Sequence, residues 1–79
     1  MQATTSHYEE VLERLVTERL VREPERRSIT GCSRAHWHRL EAAGKAPKRI
    51  PISERIVAWR LTQVMAWVAA KSRGEEWPP

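Results

Sequence analysis

Four side chains able to donate hydrogen bonds stand close together: Arg34, His36, His38 and Arg39. Lys45, Lys48, Arg49 and Arg55 follow before Trp59. The chain offers no acid/base pair and no phosphate-binding glycine loop in a pocket, so enzymatic chemistry is not expected. What the basic residues offer is attraction to a phosphate backbone, with a few donors able to reach base edges. Cys32, His36 and His38 invite a metal reading, but they lack a fourth ligand and the two histidines point to different sides of a helix. Cys32 as a nucleophile is less attractive still, since it occupies an apolar turn position. No metal and no cofactor are expected.

Those donors need a helix and a hairpin to hold them. Ser33 is placed to cap a helix that runs to Ala43, with Gly44 as its left-handed stop. On it Trp37 and Leu40 share one face, Arg34, Ala35, His38 and Arg39 spread over the other, and His36 lies at the boundary. Gly31 permits a sharp turn before it. Pro24 suits the first turn of a shorter helix, Glu25 to Ile29. Pro47 and Pro51 push Ala46 and Ile50 into extended backbone. Ile50, Ile52, Val57 and Trp59 can then face a core from two strands, with Ser53, Glu54 and Arg55 turning between them. Thr62 can cap a last helix whose buried stripe is Leu61, Val64, Trp67 and Val68. Lys71 and Arg73 suit its negative end, and Gly74 stops it. Trp59 and Trp67 are core residues. The order predicts a mainly α chain with a small β-hairpin, a winged helix-turn-helix.

Upstream, Ser6 and Glu9 have capping-box spacing, and Tyr8, Val11, Leu12 and Leu15 form an apolar stripe. Arg19 interrupts the stripe and Pro24 ends or redirects the helix. Glu10 with Arg14 and Glu18 with Arg22 have the spacing of helical ion pairs. The stripe either packs on its own domain or forms a dimerisation surface. The expected organisation is one domain: an N-terminal helical extension over 1–21, the winged helix-turn-helix over 22–73 and a flexible tail over 74–79. Trp77 can pack back on the domain, bind a partner or be disordered.

With 79 residues, one small domain is the ceiling, and a large substrate cleft is excluded. Charge is unevenly placed. Residues 1–21 carry two arginines against four glutamates, a balance of −2; residues 22–60 carry ten Lys or Arg against four Glu, a balance of +6; residues 61–79 balance at zero. The excess therefore coincides with the helix and hairpin, which suits a polyanionic partner. The single cysteine, Cys32, rules out an internal disulfide and fits a reducing cytosol. Neither a signal peptide nor a membrane span is apparent, so a cytoplasmic, nucleoid-associated protein is expected.

From about Leu20 to Arg73 the chain resembles the AlpA-like phage regulators and excisionases, small MerR-like winged helix-turn-helix proteins. Thr30, Gly31, Cys32, Ser33 and Arg34 stand where that family has a threonine-glycine turn leading into a leucine-serine-arginine segment. Arg39 before Leu40, then Gly44 and Pro47, match the end of its reading helix and the approach to its wing. Ile52, Ser53, Glu54, Arg55, Ile56, Val57, Ala58 and Trp59 match the wing, and Trp67 the tryptophan of the last helix. Each short match is weak alone; in order and at these spacings they are specific. The chain departs from the family at Arg26 and Arg27, where small or apolar residues are usual, and at Trp37, where an aliphatic one is.

The resemblance implies a double-stranded DNA partner and a role in transcription regulation or prophage excision. An integrase or recombinase, RNA polymerase and further copies of the chain on DNA are the other partners it suggests. The Ser33–Ala43 helix would enter a major groove, with Ser33, Ala35 and His38 on its reading side. Arg34, near the helix start, suits base edges; Arg39 suits a phosphate. Lys48, Arg49 and Arg55 belong to the wing, with Arg55 at its tip able to enter a minor groove or grip a phosphate. Arg26, Arg27 and Lys45 are further phosphate candidates. The rival reading is a protein-interaction module that uses the same scaffold without DNA.

Overall fold

The computed structural model describes residues 18–79. Strand β1 (Leu20–Val21) leads into helix α1 (Glu23–Thr30), helix α2 (Arg34–Ala42), strands β2 (Ile50–Pro51) and β3 (Val57–Arg60), and helix α3 (Leu61–Ser72). The three short strands form one antiparallel sheet in the order β1-β3-β2. This mostly helical assembly is a winged helix-turn-helix fold. The apolar stripe from Tyr8 to Leu15, with the Glu10–Arg14 pair, lies outside the described residues.

Helix α1 begins two residues earlier than its sequence spacing suggests. Pro24 sits in its first turn, where a missing N–H costs nothing, and Glu23 and Glu25 face the positive helix end. Gly31 ends it in a left-handed conformation (φ 73°), and its N–H donates to the Arg27 carbonyl at 2.8 Å. Ser33 then caps α2 as expected: its hydroxyl accepts from the His36 N–H at 3.2 Å. The chain leaves α2 through Gly44, also left-handed (φ 74°). There the N–H groups of Gly44 and Lys45 donate back to the carbonyls of Glu41 and Leu40.

Four expectations fail. Leu20 and Val21 are strand, not the end of an N-terminal helix. The hairpin covers one edge of β3, and the other edge is satisfied by pairing Leu20 with Arg60 and Val21 with Trp59. Glu18 accordingly accepts from Arg60 at 3.0 Å, not from Arg22. Ile52 does not face the core: β2 ends at Pro51, and Ile52 lies in the turn, 48% exposed, with its N–H on the Ile56 carbonyl. Thr62 does not cap α3. The helix springs directly from β3, with Arg60 as its cap residue and no side-chain cap. The Leu61 N–H donates to the Arg19 carbonyl at 2.8 Å, so the residue before β1 satisfies one of the free N–H groups at the helix start.

The core gathers Val21, Trp37, Ala46, Trp59, Val64 and Trp67. Trp37 and Trp67 meet edge to face, with ring centroids 4.9 Å apart and planes at 76°. The Trp67 indole N–H donates to the Lys45 carbonyl at 3.0 Å, tying α3 to the segment between α2 and the wing. Leu61 and Val68 complete the α3 stripe as half-buried neighbours, and Trp77 is half-buried against the same cluster. Around the rim, Arg19 bonds Glu25 in an exposed pair that holds the Glu25 carboxyl below its usual range.

Candidate nucleic-acid interface

Helix α2 buries Trp37 and exposes Arg34, Ala35, His38, Arg39 and Ala42, which line a shallow concavity along its outer side. That separation follows from helical spacing: Trp37, Leu40 and Glu41 fall on one side, and 34, 35, 38, 39 and 42 on the other. His36 is exposed too, not at the boundary of the core. Ser33 is exposed, and its hydroxyl oxygen accepts the cap bond. A second concavity, lined by His38, Glu41, Ala42, Ala43, Gly44, Lys48 and Arg49, joins the end of α2 to the start of the wing.

The basic residues outside α2 divide into exposed and engaged. Arg27, Lys45, Lys48 and Arg55 are exposed, Arg55 within the Ser53–Ile56 turn at the wing tip. Arg49 is engaged: its Nε and Nη2 both donate to Glu41 Oε1, at 2.9 and 2.7 Å. The other Glu41 oxygen accepts from the Trp59 indole N–H at 2.6 Å. Arg49 Nη2 also lies 3.1 Å from His38 Nδ1, and its guanidinium stands 5.9 Å from the Trp59 ring centroid.

Arg26 is not a phosphate contact. It is fully buried, bonded to the Glu23 carboxylate, to Thr30 Oγ1 at 3.1 Å and to the Cys32 carbonyl at 2.8 Å. Its guanidinium lies 5.0 Å from the Trp37 ring centroid and 5.7 Å from that of Trp59. Such a charge can be buried because ion pair, hydrogen bonds and aromatic faces together replace its water. An arginine where an apolar residue is usual thus fills a core position, joining α1 to the turn that launches α2.

Glu41 and Arg26 are the two residues that sequence reasoning missed. A signal existed for each. Glu41 follows Trp37 by four residues and so falls on the buried face, and Arg26 precedes Ile29 by three. An ionisable residue on an apolar stripe calls for a partner, and each has one.

Of the ten Lys and Arg between residues 22 and 60, Arg26, Arg49 and Arg60 hold ion pairs with Glu23, Glu41 and Glu18. The seven that remain, Arg22, Arg27, Arg34, Arg39, Lys45, Lys48 and Arg55, have no acidic partner among the described residues. Among those residues no group of His, Cys, Asp and Glu is arranged to hold a metal ion, and no helix is long and apolar enough to cross a membrane.

The family model described as prophage CP4-57 regulatory protein (AlpA) matches residues 19–72, more than half of the chain. The chain belongs to the AlpA family. The AlpA match runs from the residue before β1 to the end of α3, so every element that positions the interface lies inside it. An uncharacterised protein, ORF88 of Enterobacteria phage P4, is 31% identical over 62 residues, covering 78% of this chain and 70% of the relative. No solved structure matches the chain. AlpA membership makes this a phage-type regulatory protein by family.

Proposed function

We propose that the chain is a sequence-specific double-stranded DNA-binding protein of the phage or prophage type, acting as a transcriptional regulator or as an excisionase. Helix α2 lies in a major groove, and the wing rests on adjacent backbone or in the minor groove. The observation that carries this reading is the outer side of α2. Arg34, Ala35, His38 and Arg39 stand exposed together there, while the one acid of that helix, Glu41, is turned inward and paired with Arg49. An anion approaching this side meets cations and no opposing carboxylate from the helix.

In this reading Arg34, in the first turn, reaches base edges, with Ser33 and Ala35 beside it. Arg39, Lys48, Arg27 and Lys45 hold phosphates, and Arg55 carries the wing tip to the backbone or minor groove. Arg49 contributes mainly by supporting His38. Several copies bound side by side, beside an integrase or RNA polymerase, would let the protein bend DNA for excision or set promoter use.

The test is a mobility-shift titration on duplex DNA at several salt concentrations. With about six phosphates neutralised, log K should fall against log salt with a slope of about −5. A slope near zero would remove DNA binding and leave a protein-interaction module on the same scaffold.

A further inference from the structure

We propose that Arg49 fixes His38 as the tautomer protonated on Nε2, so that His38 presents DNA with one outward donor that selects hydrogen-bond acceptors. The recognition half of this inference rests on the DNA-binding reading above; the tautomer half does not.

Arg49 Nη2 stands 3.1 Å from His38 Nδ1. A guanidinium carries donors and no acceptor. The pair is a hydrogen bond only if Nδ1 offers its lone pair, which places the imidazole proton on Nε2. Arg49 is not free to swing away, because two of its nitrogens are held by Glu41 Oε1. Glu41 is itself 8% exposed and anchored through its other oxygen to the Trp59 indole. A continuous chain of bonds thus runs from the core tryptophan through Glu41 and Arg49 to an exposed histidine on the outer side of α2.

An unsupported imidazole can donate or accept at its outward nitrogen and suits either partner. A fixed Nε2–H can only donate. It accepts purine N7, guanine O6 or a phosphate oxygen as partner and rejects the amino groups of adenine and cytosine. His38 is therefore a specificity-determining residue, and Arg49 the positioning residue behind it.

The test has two arms, both on the full 79-residue chain. In the first, 15N-histidine NMR of the free protein, well above the ordinary histidine pKa, reads the tautomer; the His38 signals are assigned by their loss in His38→Asn. Wild type should show the Nε2–H pattern, and Arg49→Met should release the ring into a mixture. Should that variant unfold, the wild-type spectrum still decides. In the second arm, a duplex is selected by the wild-type protein from a random-sequence pool. His38→Gln keeps a donor near the Nε2 position and should bind within about twofold of wild type, whereas His38→Asn should lose about 5- to 10-fold. Replacing the contacted purine with its 7-deaza analogue, or a contacted guanine with 2-aminopurine when O6 is the acceptor, should cost wild type a similar factor and His38→Asn nothing. If a single methylphosphonate reproduces that pattern instead, the acceptor is a phosphate oxygen. A wild-type ring protonated on Nδ1, or equal binding by the Asn and Gln variants, would overturn the proposal. If the wild-type chain selects no duplex, the DNA-binding reading fails and takes the recognition half with it, while the spectrum alone decides the tautomer.

Discussion

Glu41 and Trp59 are joined by a 2.6 Å hydrogen bond from indole N–H to carboxylate, across the gap between helix α2 and strand β3 of the wing. The bond makes the angle between helix and wing a property of the core. On the proposed DNA-binding reading, having that angle fixed beforehand favours affinity, because ordering it on the duplex would carry an entropic cost.

Removing that link should be expensive. Glu41→Ala leaves the Trp59 N–H without its acceptor and Arg49 without its counter-charge. We expect a loss of about 2–3 kcal/mol, below the range for a wholly buried pair because the exposed part of the Arg49 side chain can turn to water. Urea unfolding monitored by tryptophan fluorescence measures it. An unchanged midpoint would mean that the network contributes nothing to stability.

Arg26 and Arg27 are neighbours in sequence with opposite fates, and paired substitutions should show it. Arg26→Ala strands the Glu23 carboxylate and empties space between two tryptophans, for an expected loss of about 3–5 kcal/mol. Arg26→Met, which keeps the volume without the charge, should lose less. Arg27→Ala should leave the melting temperature within experimental scatter and weaken DNA binding modestly. Equal melting temperatures for the Arg26→Ala and Arg27→Ala variants would contradict the burial of Arg26.

Trp67→Ala should destabilise the fold by about 3–5 kcal/mol, since it removes a buried ring from a small core. The variant loses the edge-to-face contact with Trp37 and the bond to the Lys45 carbonyl together. Calorimetric melting is the measurement, and a retained melting temperature would refute the placement of Trp67.

Arg34 and Arg55 should separate base reading from backbone grip. Arg34→Ala should cost about 1–3 kcal/mol on a selected duplex and much less on random DNA. Arg55→Ala should weaken both duplexes by similar factors and lower the salt slope by about one unit if it holds a phosphate. Greater loss on A/T-rich flanks would assign Arg55 to the minor groove. Equal losses for Arg34→Ala on both duplexes would demote that residue to a phosphate contact.

The local signals in the sequence were reliable where the backbone decides. Ser33 caps α2, Gly31, Gly44 and Gly74 take left-handed backbone, and Pro24 opens α1. Each is a short-range effect of one residue's geometry. The failures share another cause. Leu20 and Val21 become strand only because β3 has a second edge to fill, and Arg60 can cap α3 without a side-chain bond only because the Arg19 carbonyl lies beside it. No window of neighbouring residues contains those facts. Within the interface, helical spacing was enough to put Arg34, Ala35, His38 and Arg39 on one side. The inward commitment of Arg49 and Arg26 depended on partners in other elements, and a count of basic residues treats every cation as equally available.

Helix α3 follows strand β3 without an intervening residue, and the Leu61 N–H is tied to the Arg19 carbonyl. That seam has no slack. One residue inserted there would rotate the whole of α3 by about 100° and turn Val64 and Trp67 out of the core. The Ser53–Arg55 tip is the reverse case: exposed and closed on itself by bonds between Ser53 and Ile56. Length can vary at the tip while the seam stays fixed, so the reach of the wing is adjustable by grafting longer or shorter loops onto an unaltered scaffold.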